Sequence, residues 1–306
     1  MGDQFRGLYP VGVTPFDESG AVDERSLKRS IEFYIEAGVN GIAHVLGGSE
    51  FFTLTDEERH LITRVVVETV NHRCPVWIGV AGVSIQHTVE LAKHAEQSGA
   101  AAVVSMPSYI RMPMSQTETE EYYRALGAAV KIPVVFQNAL APSGVPMSAE
   151  FVSRLLREIE HIDYVKEETK NPGRMIAAIQ HLAGKSCKGI LGGAGGRYVL
   201  DEYRRGACGT MPYPHVPEVQ AAVWTALEAN DWEKARSIFL RLLPLYNLES
   251  RFGTVLCKEI LHRRGVIATT KCRAPGLMPL DAIDQEELSG ALADLRGLFT
   301  CHPPFE

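Results

Sequence analysis

Short apolar, β-branched runs alternate along this chain with longer stretches in which apolar residues recur every three or four positions. The short runs have the length of strands and the long ones the period of helices. Residues 7–13, 41–46, 76–80, 101–106, 133–138, 162–167, 187–191 and 209–212 read as strands. Helical patterns lie between them: 24–37, stretches opened by Thr55, Ser84, Ser115 and Ser148, then 172–182 and one from roughly Gly195. Thr55 is followed three residues later by Glu58, the spacing of a reciprocal N-terminal cap. Eight strand–helix units in about 230 residues imply parallel strands with helical crossovers, and eight is the number that closes a barrel. An open doubly wound sheet would carry a glycine-rich dinucleotide turn after its first strand, where Thr14-Pro15-Phe16 stands instead. The expected fold class is therefore α/β, a (β/α)8 TIM barrel over residues 1–230. Residues 231–306 lack strand patterns and read as a C-terminal three-helix extension, with helices at 232–249, 253–264 and 285–299.

Charge removes several function classes. Thirty-seven acidic residues against 31 basic ones give a net charge of -6, and no basic stripe suits nucleic acid. The densest basic stretch, 258–264, reads as the solvated face of a helix. No apolar run approaches the roughly 18 residues needed to span a bilayer, so no membrane partner is expected. The six cysteines are scattered without a C-x-x-C pair, and the ten histidines show no ligand spacing; neither a metal nor another cofactor is expected. The first five residues do not form a secretory leader, and with reduced thiols the expected location is cytoplasmic.

Catalytic residues of such barrels gather at the C-terminal ends of the strands. Lys166 ends the sixth strand-like run. An amine near the interior is pressed toward its neutral, nucleophilic form, the first requirement for condensation with a carbonyl. Residues two apart share a strand face, so Glu168 joins Lys166 while Glu167 points away. A carboxylate beside an imine can serve as base for the adjacent carbon acid; an ion pair that merely satisfies both charges is the plainer alternative. The loop Gly47-Gly48-Ser49-Glu50 offers unhindered N–H groups and a hydroxyl to a carboxylate, or is an ordinary glycine turn. The cluster 192–196, including Gly193, carries the same two readings. Gln137 and Asn138 end the fifth run, and Tyr109 follows the fourth, either reaching a neighbouring site or half-buried in packing.

These pieces together resemble the dihydrodipicolinate synthase/N-acetylneuraminate lyase family. The likeness runs from Gly7-Leu8-Tyr9-Pro10 through Thr14-Pro15-Phe16, the segment Gly47-Gly48-Ser49-Glu50-Phe51-Phe52-Thr53-Leu54-Thr55-Asp56-Glu57-Glu58-Arg59, Pro107-Ser108-Tyr109 and Tyr164-Val165-Lys166-Glu167-Glu168-Thr169 to the C-terminal helices. The resemblance implies a (β/α)8 barrel with three C-terminal helices, a homotetramer, and a Schiff base between Lys166 and a small-molecule 2-oxo acid such as pyruvate. It casts Lys166, Glu168 and Gln137 as catalytic. Gly48, Ser49, Glu50, Asn138, Gly193 and Tyr109 are cast as substrate-binding. The usual loop glycine before Glu50 is Ser49 here, and Gln137 replaces the proton-shuttling tyrosine of the aldolase and synthase branches. The carboxylate-binding arginine of the synthases is missing from residues 138–144, with Pro142 near its place. This combination is similar to the L-2-keto-3-deoxyarabonate dehydratase branch. A pyruvate-dependent class I aldolase or synthase, and a non-catalytic 2-oxo-acid-binding member, are the competing readings.

Overall fold

The computed structural model describes residues 5–107, 114–139 and 147–304. In chain order the elements are β1 (Gly7–Leu8), α1 (Glu24–Glu36), β2 (Ile42–His44), α2 (Asp56–Val70), β3 (Val76–Gly79), α3 (Ile85–Gln97), β4 (Ala102–Ser105) and α4 (Gln116–Ala129). Then follow β5 (Val134–Ala139), α5 (Ala149–Glu158), β6 (Ile162–Glu168), α6 (Pro172–Ala183), β7 (Gly189–Gly192), α7 (Val199–Arg204), β8 (Gly209–Thr210) and α8 (Pro217–Glu228). The chain closes with α9 (Trp232–Phe252), α10 (Thr254–Arg263) and α11 (Ala282–Asp294). Strand and helix alternate as the periodicity predicts. They divide into two compact units: Pro75–Met211 with the N-terminal stretch to Gly7, and Leu8–Cys74 with Pro212–Glu306.

In the first unit, β3 to β8 are parallel and lie in sequential order. Their apolar runs are continuous because both faces are covered: Trp77, Val103, Val104, Val134, Val135, Phe136, Val165, Ile190 and Leu191 are all fully buried. Tyr123 of α4 stacks on Phe136 of β5 at 4.4 Å and donates its hydroxyl to Ser105 O at 2.6 Å. The predicted helix starts hold. Ser84, Ser115 and Ser148 each accept a backbone N–H of the first turn, which satisfies an otherwise orphaned donor. Pro172 stands at the first turn of α6, where its missing N–H costs nothing. The helix expected from Gly195 begins only at Val199. Gly195 and Gly196 have φ of 71° and 82°, which no helix tolerates.

In the second unit, the strand expected over 7–13 shrinks to Gly7–Leu8, because Pro10 has no N–H for a ladder; Val11 keeps one parallel bridge to Ala43. Thr55 and Glu58 form the reciprocal cap of α2. The last helix starts earlier than expected, at Ala282, behind a second reciprocal cap from Asp281 and Asp284. Helix α8, unplaced by the sequence pattern, follows β8. The basic stretch 258–264 departs most from expectation. Lys258 is completely buried and Arg264 nearly so. The Arg264 guanidinium donates to His215 O (2.7 Å), Cys301 O (2.6 Å) and His302 O (2.8 Å), pairs with Glu218, and covers the Phe33 and Phe299 rings. Every donor has an acceptor, which is the condition for burying a guanidinium.

Candidate active site

Parallel register places Gln137 beside Lys166, Asn138 beside Glu167 and Ala139 beside Glu168. Alternation then sorts these residues onto two faces. On one, Lys166 Nζ lies 3.2 Å from Glu168 Oε1, Gln137 Nε2 donates to Glu168 Oε2 at 2.6 Å, and Ala194 N donates to Oε1 at 3.1 Å. Gln137 Oε1 has no partner among the described residues. Burial pushes the Glu168 carboxyl upward. The Lys166 ammonium, the Ala194 N–H and the Gln137 amide outweigh it and hold Glu168 below its ordinary value, hence ionised. The expected catalytic residues Lys166, Glu168 and Gln137 are thus brought together.

The glycine cluster after β7 serves this carboxylate. Any Cβ on Gly193 would collide with the Glu168 side chain, and Gly193 N is spent on Glu167 O at 3.0 Å. Ala194 takes φ of 49°, a conformation unusual without a special requirement, and thereby aims its N–H at Glu168. Gly193 therefore gives the Glu168 carboxylate room; its own backbone N–H is engaged by Glu167 O.

The other face carries Asn138 and Glu167. Asn138, expected to touch substrate, turns with Glu167 away from Lys166 and is 1% exposed. Its Oδ1 accepts Met147 N at 2.9 Å, and its Nδ2 donates to Met147 O (3.2 Å) and Glu167 Oε2 (3.0 Å). Glu167 Oε1 accepts Thr169 N at 2.9 Å. Burial pushes the Glu167 carboxyl up to about 7, against its hydrogen bonds from Thr169 and Asn138. Sequence reasoning missed Glu202 of α7, which is fully buried against Gly192 with neither carboxyl oxygen hydrogen-bonded among the described residues. Burial first, then the charges of Glu167, Glu168 and Asp201, push it well above the ordinary carboxylate range. Its place on the inward stripe of a short amphipathic helix was the only signal.

In the second unit the loop after β2 is a tight turn at Gly47–Ser49, held from several sides. Val45, a β-branched residue, has φ of 59°, and Glu50 has φ of 55°. Such positions cost on the order of 1–3 kcal/mol each and persist only where their surroundings fix them. His44 helps: burial lowers its pKa to about 4, so the neutral ring accepts Val45 N at Nδ1 (2.9 Å) and faces Val13 O through Nε2 (3.0 Å). Ser49, expected to bind a carboxylate, is fully buried. Its hydroxyl goes to Gly12 O (2.5 Å) and its N–H to Leu46 O (2.9 Å). Glu50, also expected at the substrate, is 1% exposed and pairs with Lys258 Nζ at 2.6 Å. Both side chains are engaged within the protein. Gly47 is exposed and Gly48 half-buried, and a Cβ on Gly48 would crowd the Tyr213 ring at 3.0 Å. Tyr109 and Pro142 lie outside the described residues.

Comparison with known proteins matches residues 4–295 to the dihydrodipicolinate synthetase family. An L-2-keto-3-deoxyarabonate dehydratase of Azospirillum brasilense is 34% identical over 275 residues, 88% of each chain. A 4-hydroxy-tetrahydrodipicolinate synthase of Bartonella quintana is 29% identical over 240 residues, 78% of this chain and 81% of that one. The crystal structure of YagE, a prophage protein of the dihydrodipicolinic acid synthase family from E. coli K12 in complex with pyruvate, superposes with a TM-score of 0.88. It is 25% identical and covers 96% of this chain and 99% of that one. The fold is the (β/α)8 barrel with C-terminal helices.

Proposed function

The chain belongs to the dihydrodipicolinate synthetase family, and from that premise we propose that it is a Schiff-base-forming lyase that dehydrates 2-keto-3-deoxyarabonate to 2-oxoglutarate semialdehyde. The observation that carries this reading is the composition of the lysine's face. Glu168 is an ionised carboxylate 3.2 Å from Lys166, and the third member, Gln137, is an amide. An amide orients a carboxylate or a hydroxyl but has no proton to shuttle near neutral pH. Carbon–carbon cleavage and formation need such a shuttle at the substrate oxygen; elimination of a hydroxyl can run on one carboxylate.

In this mechanism Glu168 takes a proton from the Lys166 ammonium as the keto acid arrives. The amine attacks C2, and the carbinolamine hydroxyl leaves as water with the proton returned by Glu168. The resulting iminium is an electron sink that acidifies C3. Glu168 removes a C3 proton to give an enamine, and the enamine expels the C4 hydroxyl, which leaves as water with that proton. Tautomerisation and hydrolysis free the semialdehyde and Lys166. The Gln137 N–H keeps the carboxylate aimed through each transfer, and its Oε1, buried and unpartnered among the described residues, would accept a substrate hydroxyl. The 34% identical dehydratase supports this choice of substrate. Incubation with 2-keto-3-deoxyarabonate tests it: the expected product is the semialdehyde with no pyruvate. Pyruvate plus a two-carbon aldehyde would establish an aldolase instead.

A further inference from the structure

The first unit holds a cavity that this chemistry does not use. It opens between the starts of α5 and α6, has a volume of about 540 Å³, and is lined by none of Lys166, Glu168 and Gln137. That volume is in the range of small-molecule sites. Its lining is of two kinds. Met147 and Ala149 at the start of α5, with Met175 and Ala178 of α6, supply apolar surface. Lys170 and Arg174 supply two cations. Other basic side chains of this region are engaged: Arg154 with Glu120 at 2.8 Å, Arg157 with Leu182 O at 2.7 Å, Arg205 with Asp201 at 2.9 Å. Among the described residues, neither Lys170 nor Arg174 has a hydrogen bond or an ion pair.

We propose that this cavity binds a small carboxylic acid with an apolar tail, the tail on the methionine and alanine surface and the carboxylate on Lys170 and Arg174. A guanidinium meets a carboxylate with two parallel hydrogen bonds, and an ammonium adds a third donor. Asn171 gives α6 no side-chain cap, so the positive end of that helix adds to the two cations. Its own N–H and the Ser148 hydroxyl hold the Glu150 carboxyl below its ordinary value, so the charge of the one acidic lining residue is already served at the first turn of α5. The walls are fixed from behind. Asn138 holds Met147 through both its N–H (2.9 Å) and its carbonyl (3.2 Å), and Glu167 holds Thr169 N at 2.9 Å. Asn138 Nδ2 joins the two at Glu167 Oε2, 3.0 Å away. A cavity whose walls are held in this way costs little ordering when it fills, while the methionine side chains adapt to the tail.

The test is calorimetric titration of the full-length protein with octanoate, with propionate and octanol as controls. Octanoate should bind at one site. Propionate lacks most of the tail and should bind about tenfold more weakly or worse; octanol lacks the charge and should lose on the order of tenfold. Lys170→Gln/Arg174→Gln changes two exposed side chains, so it should melt at the wild-type temperature and yet bind octanoate on the order of tenfold more weakly. In protein isotope-labelled at its methionine methyl groups, octanoate should shift the resonances of Met147 and Met175. Octanoate that fails to bind, that binds the double variant as tightly as the wild type, that is matched by octanol, or that shifts other methionines instead overturns the proposal.

Discussion

Two lysine–glutamate pairs in this molecule look alike on paper and sit in different surroundings. Lys166 and Glu168 stand two residues apart on one strand, 3.2 Å from each other, with the glutamate side chain still about one-fifth exposed. Lys258 and Glu50 are 208 residues apart in sequence, 2.6 Å from each other, and sealed from solvent. The first pair faces an amide whose oxygen has no partner among the described residues. In both pairs the two carboxylate oxygens are met by protein donors; in the second the ammonium also has a carbonyl and an aromatic ring. A pair that keeps some exposure has room to exchange a partner; a sealed pair holds shape. The difference lies in the surroundings and not in the residue types.

Substitutions break this comparison in order of effect. Lys166→Ala should abolish turnover and adduct formation entirely while the protein melts at nearly the wild-type temperature; residual activity would relocate the nucleophile. Glu168→Gln should still form the borohydride-trapped adduct but turn over about 10²- to 10⁴-fold more slowly, measured as semialdehyde release. Lys258→Met should destabilise the fold by about 3–5 kcal/mol in denaturant titration, because it strands a buried carboxylate. The same deletion at Lys166 leaves a partly exposed one and should cost much less.

A smaller, pH-dependent effect sharpens the contrast between the two faces of β6. Glu167 has its folded-state pKa raised to about 7 from an ordinary 4.5. The folded protein therefore holds more protons than the unfolded chain between those values. The resulting stability is fully present below pH 4.5 and is lost as pH rises through about 7. It amounts to roughly 3 kcal/mol across that window. Glu167→Gln should flatten the fall in melting temperature between pH 5 and 7. Glu168, shifted down, behaves oppositely: its contribution is present above the ordinary value and fades on acidification. An unchanged pH slope in Glu167→Gln would mean that Glu167 titrates like an exposed carboxylate.

The legibility of each part followed its range in sequence. Helix caps such as Thr55 with Glu58 and the pairing of Lys166 with Glu168 depend on residues two or three apart, so a local rule finds them. Asn138 was within reach of the same rule: adjacent to Gln137, it had to face the other way, and its register partner is Glu167. Glu50 and Lys258 were not readable. A glutamate after a glycine turn at the end of a strand carries the marks of a ligand site, and a lysine opening a basic run carries those of a solvated face. Only the tertiary fold brings the one to the other. Ser49 differs again, since its acceptor, Gly12 O, depends on how β1 and β2 leave the sheet.

The most direct test of the central claim is peptide mapping by mass spectrometry after reduction with borohydride in the presence of pyruvate. The account predicts a reduced pyruvyl group on Lys166 and on no other lysine, Lys258 included. A protein that carries no such group, or carries it elsewhere, contradicts the account.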